Sequence, residues 1–142
     1  MKSGLRILEI NKKIFPQKYD ELAISYEYIS KSLVFLDDYS EALEYQQKAL
    51  TLWRKILPAE HPKLACLYNN IGCTYGEIGE HGRALEYLMK SLRINEKVLP
   101  ANHPDLAICY SNVGTAFCNL KDHVNELEFH LKALEIRKQT HD

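Results

Sequence analysis

Two histidine–proline pairs are the residues in this sequence whose type and spacing could do chemistry. They occur in two nearly identical segments, LPAEHP at residues 57–62 and LPANHP at residues 99–104. Imidazole nitrogens are common metal ligands, so each pair could be half of a metal site. The same residues could instead mark the end of one helix and the start of the next, because proline stops a helix and also begins one.

The chain repeats itself every 42 residues, and this period decides between the two interpretations. Placing residues 57–98 over residues 99–140 gives 16 identical positions out of 42. A looser copy precedes them, and RILEINKKIFP at residues 6–16 resembles the end of a still earlier copy. A fixed period of this kind is typical of a solenoid. The predicted organisation is a single array, with the last helix of a partial repeat at 4–15 and full repeats at 16–57, 58–99 and 100–142.

Each repeat is predicted to form two helices. In the middle repeat, Leu64, Ile71 and Tyr75 recur on one face of a helix, and EIGEHG at residues 77–82 then breaks the pattern with two glycines. A second apolar stripe follows from residue 84. Pro58 is expected to stop one helix, and Pro62 to occupy the first turn of the next. The predicted fold class is therefore all-α, an α-solenoid of antiparallel helix pairs.

The repeat also argues against a metal site at the histidines. His61 and His103 are separated by one whole repeat, so they belong to different layers of the solenoid. His81 and His123 are related by the same step and are expected to be solvated residues of a turn. No carboxylate or thiol is expected at ligand spacing from any of them. We therefore predict no metal and no other cofactor.

Composition excludes several other classes of protein. The formal net charge is -1, which gives no basic excess for nucleic acid, and no apolar run is long enough to cross a membrane. The first residues lack a secretory signal, so a cytoplasmic location is expected. The four cysteines form no CxxC pair and are expected to be reduced, buried thiols. They are Cys66, Cys73, Cys109 and Cys118.

The sequence carries no motif of catalysis. A glycine-rich phosphate loop, a GxSxG elbow and an HExxH pair are all absent. Acidic residues are spread over helix surfaces and have i,i+4 partners such as Glu44 and Lys48. We therefore predict a protein-interaction scaffold rather than an enzyme.

Two segments resemble the tetratricopeptide repeat (TPR). YNNIGCTYGEIGEHGRALEYLMKSL, residues 68–92, has the aromatic, glycine and alanine positions of that family, and YSNVGTAFCNLKDHVNELEFHLKALEI, residues 110–136, repeats most of them. Lys121 and Glu126 replace the glycine and the alanine of the family, and Ser30 replaces a glycine in the looser first copy. The ordinary repeat has about 34 residues. A 42-residue repeat with NHP linkers is similar to the kinesin light chain type.

The resemblance implies a right-handed superhelix whose concave groove is lined by the first helix of each repeat. It also implies that the groove binds a peptide segment or a protein partner. The family's contact positions fall on fifteen residues, five in each repeat. They are Ile24, Glu27, Tyr28, Lys31 and Phe35; Cys66, Asn69, Asn70, Cys73 and Glu77; and Ile108, Ser111, Asn112, Thr115 and Asn119.

Asparagines in this set have two possible roles. An amide offers a donor and an acceptor, which suits an extended peptide backbone. Asn70 and Asn112 could equally bond to a neighbouring helix and hold the layers in register. The family's clamp for a C-terminal carboxylate is not expected, since Lys31 is the only basic residue of the set while Glu27 and Glu77 would repel a carboxylate.

The ends of the chain suggest an alternative function. The sequence begins within the second helix of a repeat, so the apolar residues Leu5, Leu8, Ile10 and Ile14 are expected to lack their partner helix. The last repeat is expected to lack a polar capping helix, which solenoids need to stay soluble. The alternative is a self-associating segment of a larger repeat protein, joined end to end or by domain swapping.

Overall fold

The structure, a computed structural model, describes residues 17–140, and this part of the chain consists of six α helices without a strand. The helices are α1 (Gln17–Phe35), α2 (Tyr39–Ile56), α3 (Pro62–Ile78), α4 (His81–Val98), α5 (Pro104–Asn119) and α6 (His123–Thr140). The helix predicted at residues 4–15 lies outside the described residues, as do Leu5, Leu8, Ile10 and Ile14. None of the described helices is both long and apolar enough to cross a bilayer.

The chain divides into two compact units, Met1–Pro58 and Ala59–Asp142. The first unit contains α1 packed on α2, and the second contains the pairs α3–α4 and α5–α6, with α4 packed on α5. Connections of two or three residues join the helices of each pair, so the two helices run antiparallel. The predicted all-α fold of antiparallel helix pairs is confirmed.

The histidine–proline segments begin α3 and α5. Pro62 and Pro104 occupy the first helical turn, as predicted from the sequence. His61 and His103 are the N-cap residues, and each accepts a 3.0 Å hydrogen bond at Nδ1, from the backbone N–H of Lys63 and of Asp105 respectively. Each imidazole therefore satisfies one of the backbone donors left free at a helix start. The sequence prediction assigned these boundaries to the prolines alone and missed the capping.

The ends of the helices follow local backbone rules. Leu57 and Leu99 each precede a proline and adopt an extended conformation with ψ of 149°, which ends α2 and α4. Gly79 ends α3 with φ of 94°, a left-handed conformation that glycine adopts without strain. The equivalent residues of the other two pairs, Asp37 and Lys121, have φ of 59° and 65°. The left-handed turn is therefore kept in all three pairs, even where glycine is replaced.

Two glycines set the distance between paired helices in the second unit. A Cβ built on Gly72 would lie 2.8 Å from Leu88 Cγ, and one built on Gly114 would lie 2.9 Å from the ring of His130. A Cβ at either position would force the facing side chain to move, so the glycines allow α3 to approach α4 closely and α5 to approach α6 in the same way. Around these crossings the buried side chains Leu64 and Val113 complete the core.

Candidate functional site

The second unit contains a cleft of about 240 Å³ between α3 and α5, with α4 at its base. Five of the fifteen predicted groove residues line it: Cys73, Glu77, Asn112, Thr115 and Asn119. Small or apolar residues form most of the remaining wall. They are Gly72, Gly76, Ala84, Leu88 and Ala116, and the lining is completed by His81.

The cleft exists because the residues at its base are small. Gly76 on α3 faces Ala84 on α4, and a Cβ built on the glycine would lie 4.0 Å from the alanine Cβ. This arrangement leaves space above the helix crossing that a larger side chain would fill. The cleft is therefore a consequence of the same small residues that allow α3 and α4 to pack closely.

A hydrogen bond between two asparagines joins the walls of the cleft. Asn112 Nδ2 donates to Asn69 Oδ1 over 2.9 Å, and both residues are half-buried. The bond links α5 to α3, which is the framework role considered from the sequence. It leaves the Asn112 carbonyl oxygen without a protein partner among residues 17–140, and Asn112 rather than Asn69 lines the cleft.

Asn70 differs from its equivalent Asn112. Its backbone carbonyl accepts a hydrogen bond from Thr74 Oγ1, but its half-buried side-chain amide has no partner within the described part of the chain. Asn119, which lines the cleft, is exposed, and its amide likewise has no protein partner in that range. Polar groups that lack protein partners are available to a ligand.

His81 also lines the cleft, and here the sequence prediction is wrong. A solvated turn residue was expected, yet His81 is half-buried, and its Nδ1 atom is buried without a hydrogen-bond partner among the described residues. The sequence did contain a sign that His81 is partly buried. His81 precedes Ala84 by about one helical turn, so both residues lie on the same face of α4, toward α3. A buried imidazole nitrogen without a partner is costly, and His81 joins Asn112 and Asn119 as lining residues that carry a polar atom with no protein partner in the described range.

The cysteines are free, as predicted, but most of them are not buried. Cys109 is buried and Cys118 is half-buried, whereas Cys66 and Cys73 are exposed. The prediction of buried thiols was therefore wrong for Cys66 and Cys73, and the exposed Cys73 is one of the residues that line the cleft. Desolvation and the nearby Glu77 carboxylate raise the pKa of the Cys73 thiol. The thiol is therefore protonated near neutral pH and is a poor nucleophile.

Charge in the cleft is sparse and acidic. Glu77 contributes the one carboxylate of the lining residues, and neither a lysine nor an arginine is among them. A free C-terminal carboxylate would find no cationic partner here.

The other predicted groove residues lie outside this cleft. In the first unit, Ile24, Tyr28 and Phe35 are exposed on α1, and Lys31 lies 5.8 Å from the ring centroid of Tyr28. Glu27 is held by α2, because its Oε2 accepts a 2.8 Å hydrogen bond from Trp53 Nε1. In the second unit, the residues that do not line the cleft are Cys66, Asn69, Asn70, Ile108 and Ser111.

Paired helices in a 42-residue period, with glycine at the crossings, define a helical-repeat protein of the solenoid class. The chain belongs to the tetratricopeptide repeat family, because the family model described as Tetratricopeptide repeat matches residues 21–97, more than half of its length. The family predicted from the sequence is confirmed. Repeats of this family generally serve as protein–protein interaction modules and are typically non-catalytic.

Solved structures share the fold at low sequence identity. BtubC (BKLC) from P. vanneervenii is 20% identical with a TM-score of 0.82, over 94% of this chain and 54% of that one. A candidate kinesin light chain from Podosopora anserina, with nearly identical TPR-like repeats, is 18% identical with a TM-score of 0.77, over 95% and 64%. The TPR domain of Arabidopsis FLU is 16% identical with a TM-score of 0.72, over 86% and 98%.

The chain spans little more than half of BtubC and less than two thirds of the Podosopora anserina protein. A search of curated protein sequences finds no match. The comparisons therefore establish the family and the fold.

Proposed function

We propose that this chain is a protein-interaction module that holds an extended peptide segment of a partner in the cleft between α3 and α5. The observation that carries the proposal is the cleft itself, whose lining includes the Asn112 carbonyl oxygen, the Asn119 amide and His81 Nδ1, all without a protein partner within residues 17–140. An extended backbone presents donors and acceptors at regular intervals and can satisfy such atoms. The small residues at the base leave room for a side chain of the peptide.

The charge of the cleft narrows the class of peptide. Glu77 disfavours an acidic segment or a C-terminal carboxylate and favours a neutral or basic one. Within the first unit, taken by itself, the exposed apolar residues Ile24, Tyr28 and Phe35 of α1 suit apolar side chains of a partner. Asn70 stays in the proposed set because its amide has no protein partner among the described residues.

We also propose that the chain has no catalytic activity of its own and is cytoplasmic. The raised pKa of Cys73, the one thiol that lines the cleft, argues against a nucleophile there. The four free cysteines agree with a reducing compartment. The composition favours neither nucleic acid nor a membrane as the partner.

Peptide selection followed by nuclear magnetic resonance tests the proposed site. A random peptide library is displayed against the chain, and the strongest binder is titrated into the 15N-labelled protein, with a scrambled peptide as the control. We expect the largest shifts at the side-chain amides of Asn112 and Asn119 and at the backbone amides of Cys73 and Glu77. Shifts confined to the exposed apolar residues of α6, Val124, Leu127, Leu131 and Leu134, would contradict the proposed site.

A second function, self-association, is favoured by the outward face of α6. Val124, Leu127, Leu131 and Leu134 follow one another at spacings of three and four residues, and each is between 47% and 80% exposed. Two of the equivalent residues of α4, Leu85 and Met89, pack instead against the core that contains α5, and Leu92 is buried in it. The face of α6 therefore matches a surface that is covered one repeat earlier. We propose that a helix pair from a second copy covers it.

Light scattering over a dilution series tests this proposal. We expect the average mass of the unmodified chain to rise with concentration, and the variant Leu127→Glu/Leu131→Glu to stay monomeric, because a charge buried against an apolar partner is strongly unfavourable. Gln139→Glu adds a charge to the same helix off this face and should associate like the unmodified chain. A chain that stays monomeric at the highest concentration would exclude the proposal.

A further inference from the structure

A second cluster of side chains that can do chemistry lies at the turn between α5 and α6. Cys118 is near the end of α5, His123 is the first residue of α6, and Glu126 is one turn further along. Cys118 Sγ, a ring nitrogen of His123 and a carboxylate oxygen of Glu126 all lie within 4.8 Å of one another. His123 Nδ1 is 2.7 Å from Glu126 Oε1. The cluster is separate from the cleft between α3 and α5.

Comparison with the preceding repeat shows why these groups meet. Cys118 and Glu126 are the 42-residue equivalents of Gly76 and Ala84, the small pair that faces across α3 and α4. The same helix crossing therefore brings a thiol and a carboxylate together in the third repeat. The imidazole of His123 joins them because His123 is the 42-residue equivalent of His81. The neighbours of His81 at the corresponding positions are only a glycine and an alanine, whose side chains offer no ligand atom.

We propose that Cys118, His123 and Glu126 bind a divalent transition-metal ion of the zinc class. Thiolate, imidazole and carboxylate are the three ligand types that zinc takes in proteins, and three protein ligands leave the fourth position to water. Zinc–ligand bonds of about 2.0–2.3 Å place the donors of a tetrahedral site about 3.3–3.8 Å apart. The cluster reaches that spacing by small side-chain movements, since all its donors are already within 4.8 Å.

The identity of the ligands selects the class of metal. A thiolate favours zinc and related soft or borderline ions over magnesium or calcium, which prefer oxygen ligands. Bound to the ion, the thiolate and the carboxylate balance its two positive charges. Two basic groups near the cluster interact with it electrostatically. Lys121 interacts with the Cys118 thiol, and His130 interacts with the Glu126 carboxylate.

His123 differs from the sequence prediction for the histidines, because a thiol and a carboxylate lie close to its ring. The expectation that no carboxylate or thiol stands at ligand spacing is wrong for His123, because the antiparallel pair folds residues 118 and 126 against the same turn. His61 and His103 cap helices, and the prediction of no metal is kept for them. The prediction of no metal is also kept for His81. The residues beside it that correspond to Cys118 and Glu126 are Gly76 and Ala84, which carry no ligand atom in their side chains.

Cobalt(II), titrated alone into the full chain, is the probe. We expect one equivalent to produce the visible absorption of tetrahedral cobalt together with a thiolate-to-cobalt charge-transfer band, and zinc to displace it. Cys118→Ser should abolish the charge-transfer band. His123→Ala and Glu126→Gln should each weaken cobalt binding by about 10–100-fold or more. Loss of a residue that only hydrogen-bonds a metal ligand already weakens binding by that factor.

Two controls separate this site from other thiols and from misfolding. Cys66→Ser/Cys73→Ser removes the two exposed thiols and should leave the cobalt spectrum unchanged. Cys118→Gly/Glu126→Ala restores the pair found in the preceding repeat, so it should fold and show no band. Zinc should raise the melting temperature of the unmodified chain but not of this double variant. Absence of the band in the unmodified chain would overturn the proposal, as would its persistence in Cys118→Ser or unchanged affinity in His123→Ala.

Discussion

Replacing Ile71 by alanine is expected to lower the free energy of unfolding by about 2–5 kcal/mol. Ile71 lies in the middle of α3 and is 0% exposed, so its side chain is completely enclosed. Truncation removes buried apolar surface and leaves a cavity that closely packed helices fill only in part. Urea denaturation followed by far-ultraviolet circular dichroism measures the loss.

Ile78 provides the matched control, because it is the same residue type at the end of the same helix. It is 38% exposed, and its replacement by alanine should cost clearly less than the replacement of Ile71. Equal losses at the two positions would contradict the packing of α3 described here. The chain contains two compact units, so the transition should be fitted for more than two states where the data require it.

Replacing both Asn112 and Asn119 by alanine is expected to weaken binding of a selected peptide about 5- to 150-fold. Each amide would supply one hydrogen bond to the peptide backbone, worth about 0.5–1.5 kcal/mol, and the range follows from removing two. Isothermal titration calorimetry measures the affinity. The helical circular dichroism signal should be unchanged, because Asn112 is half-buried and Asn119 is exposed.

Asn69 separates binding from the framework. Asn69→Ala removes the acceptor of the Asn112 hydrogen bond, so it breaks the same link between α3 and α5 without removing a residue of the cleft. If Asn112 contacts the peptide, Asn112→Ala weakens binding and Asn69→Ala has little effect. If both single variants lower the affinity equally, Asn112 acts only by holding the two helices together.

The fold could be predicted from the sequence because its signals are local and repeated. The 42-residue period gave the number of helix pairs, and Pro58 and Pro62 gave the end of α2 and the start of α3 to within two residues. Gly72 marked the crossing of α3 and α4. Each of these features depends on the backbone preferences of a residue or on its neighbours within one helical turn. Such local features can be recognised in a single sequence.

The exposure of individual side chains was harder to predict. Cys66 and Cys73 lie among apolar residues in the sequence, and that composition suggested burial, but both side chains are exposed. His81 appeared to be a solvated turn residue, yet the start of α4 turns it toward the cleft. The exposure of these side chains depends on the direction in which each one points from its helix. The types of the neighbouring residues in the sequence do not give that direction.

Interactions between helices were the least predictable part of the site. The bond between Asn69 and Asn112 depends on the rotamers of two side chains on different helices, and the sequence left both possible roles open. The cluster of Cys118, His123 and Glu126 was hidden for a related reason. Its residues follow no metal-binding spacing in the sequence and meet only because the turn reverses the chain.

A crystal structure of the chain with its selected peptide is the most direct test of whether the cleft between α3 and α5 holds a peptide. We predict that the extended backbone of the peptide lies between α3 and α5, within hydrogen-bond distance, about 2.7–3.2 Å, of the Asn112 and Asn119 side chains. A peptide bound along the outward face of α6, with an empty cleft, would contradict the claim.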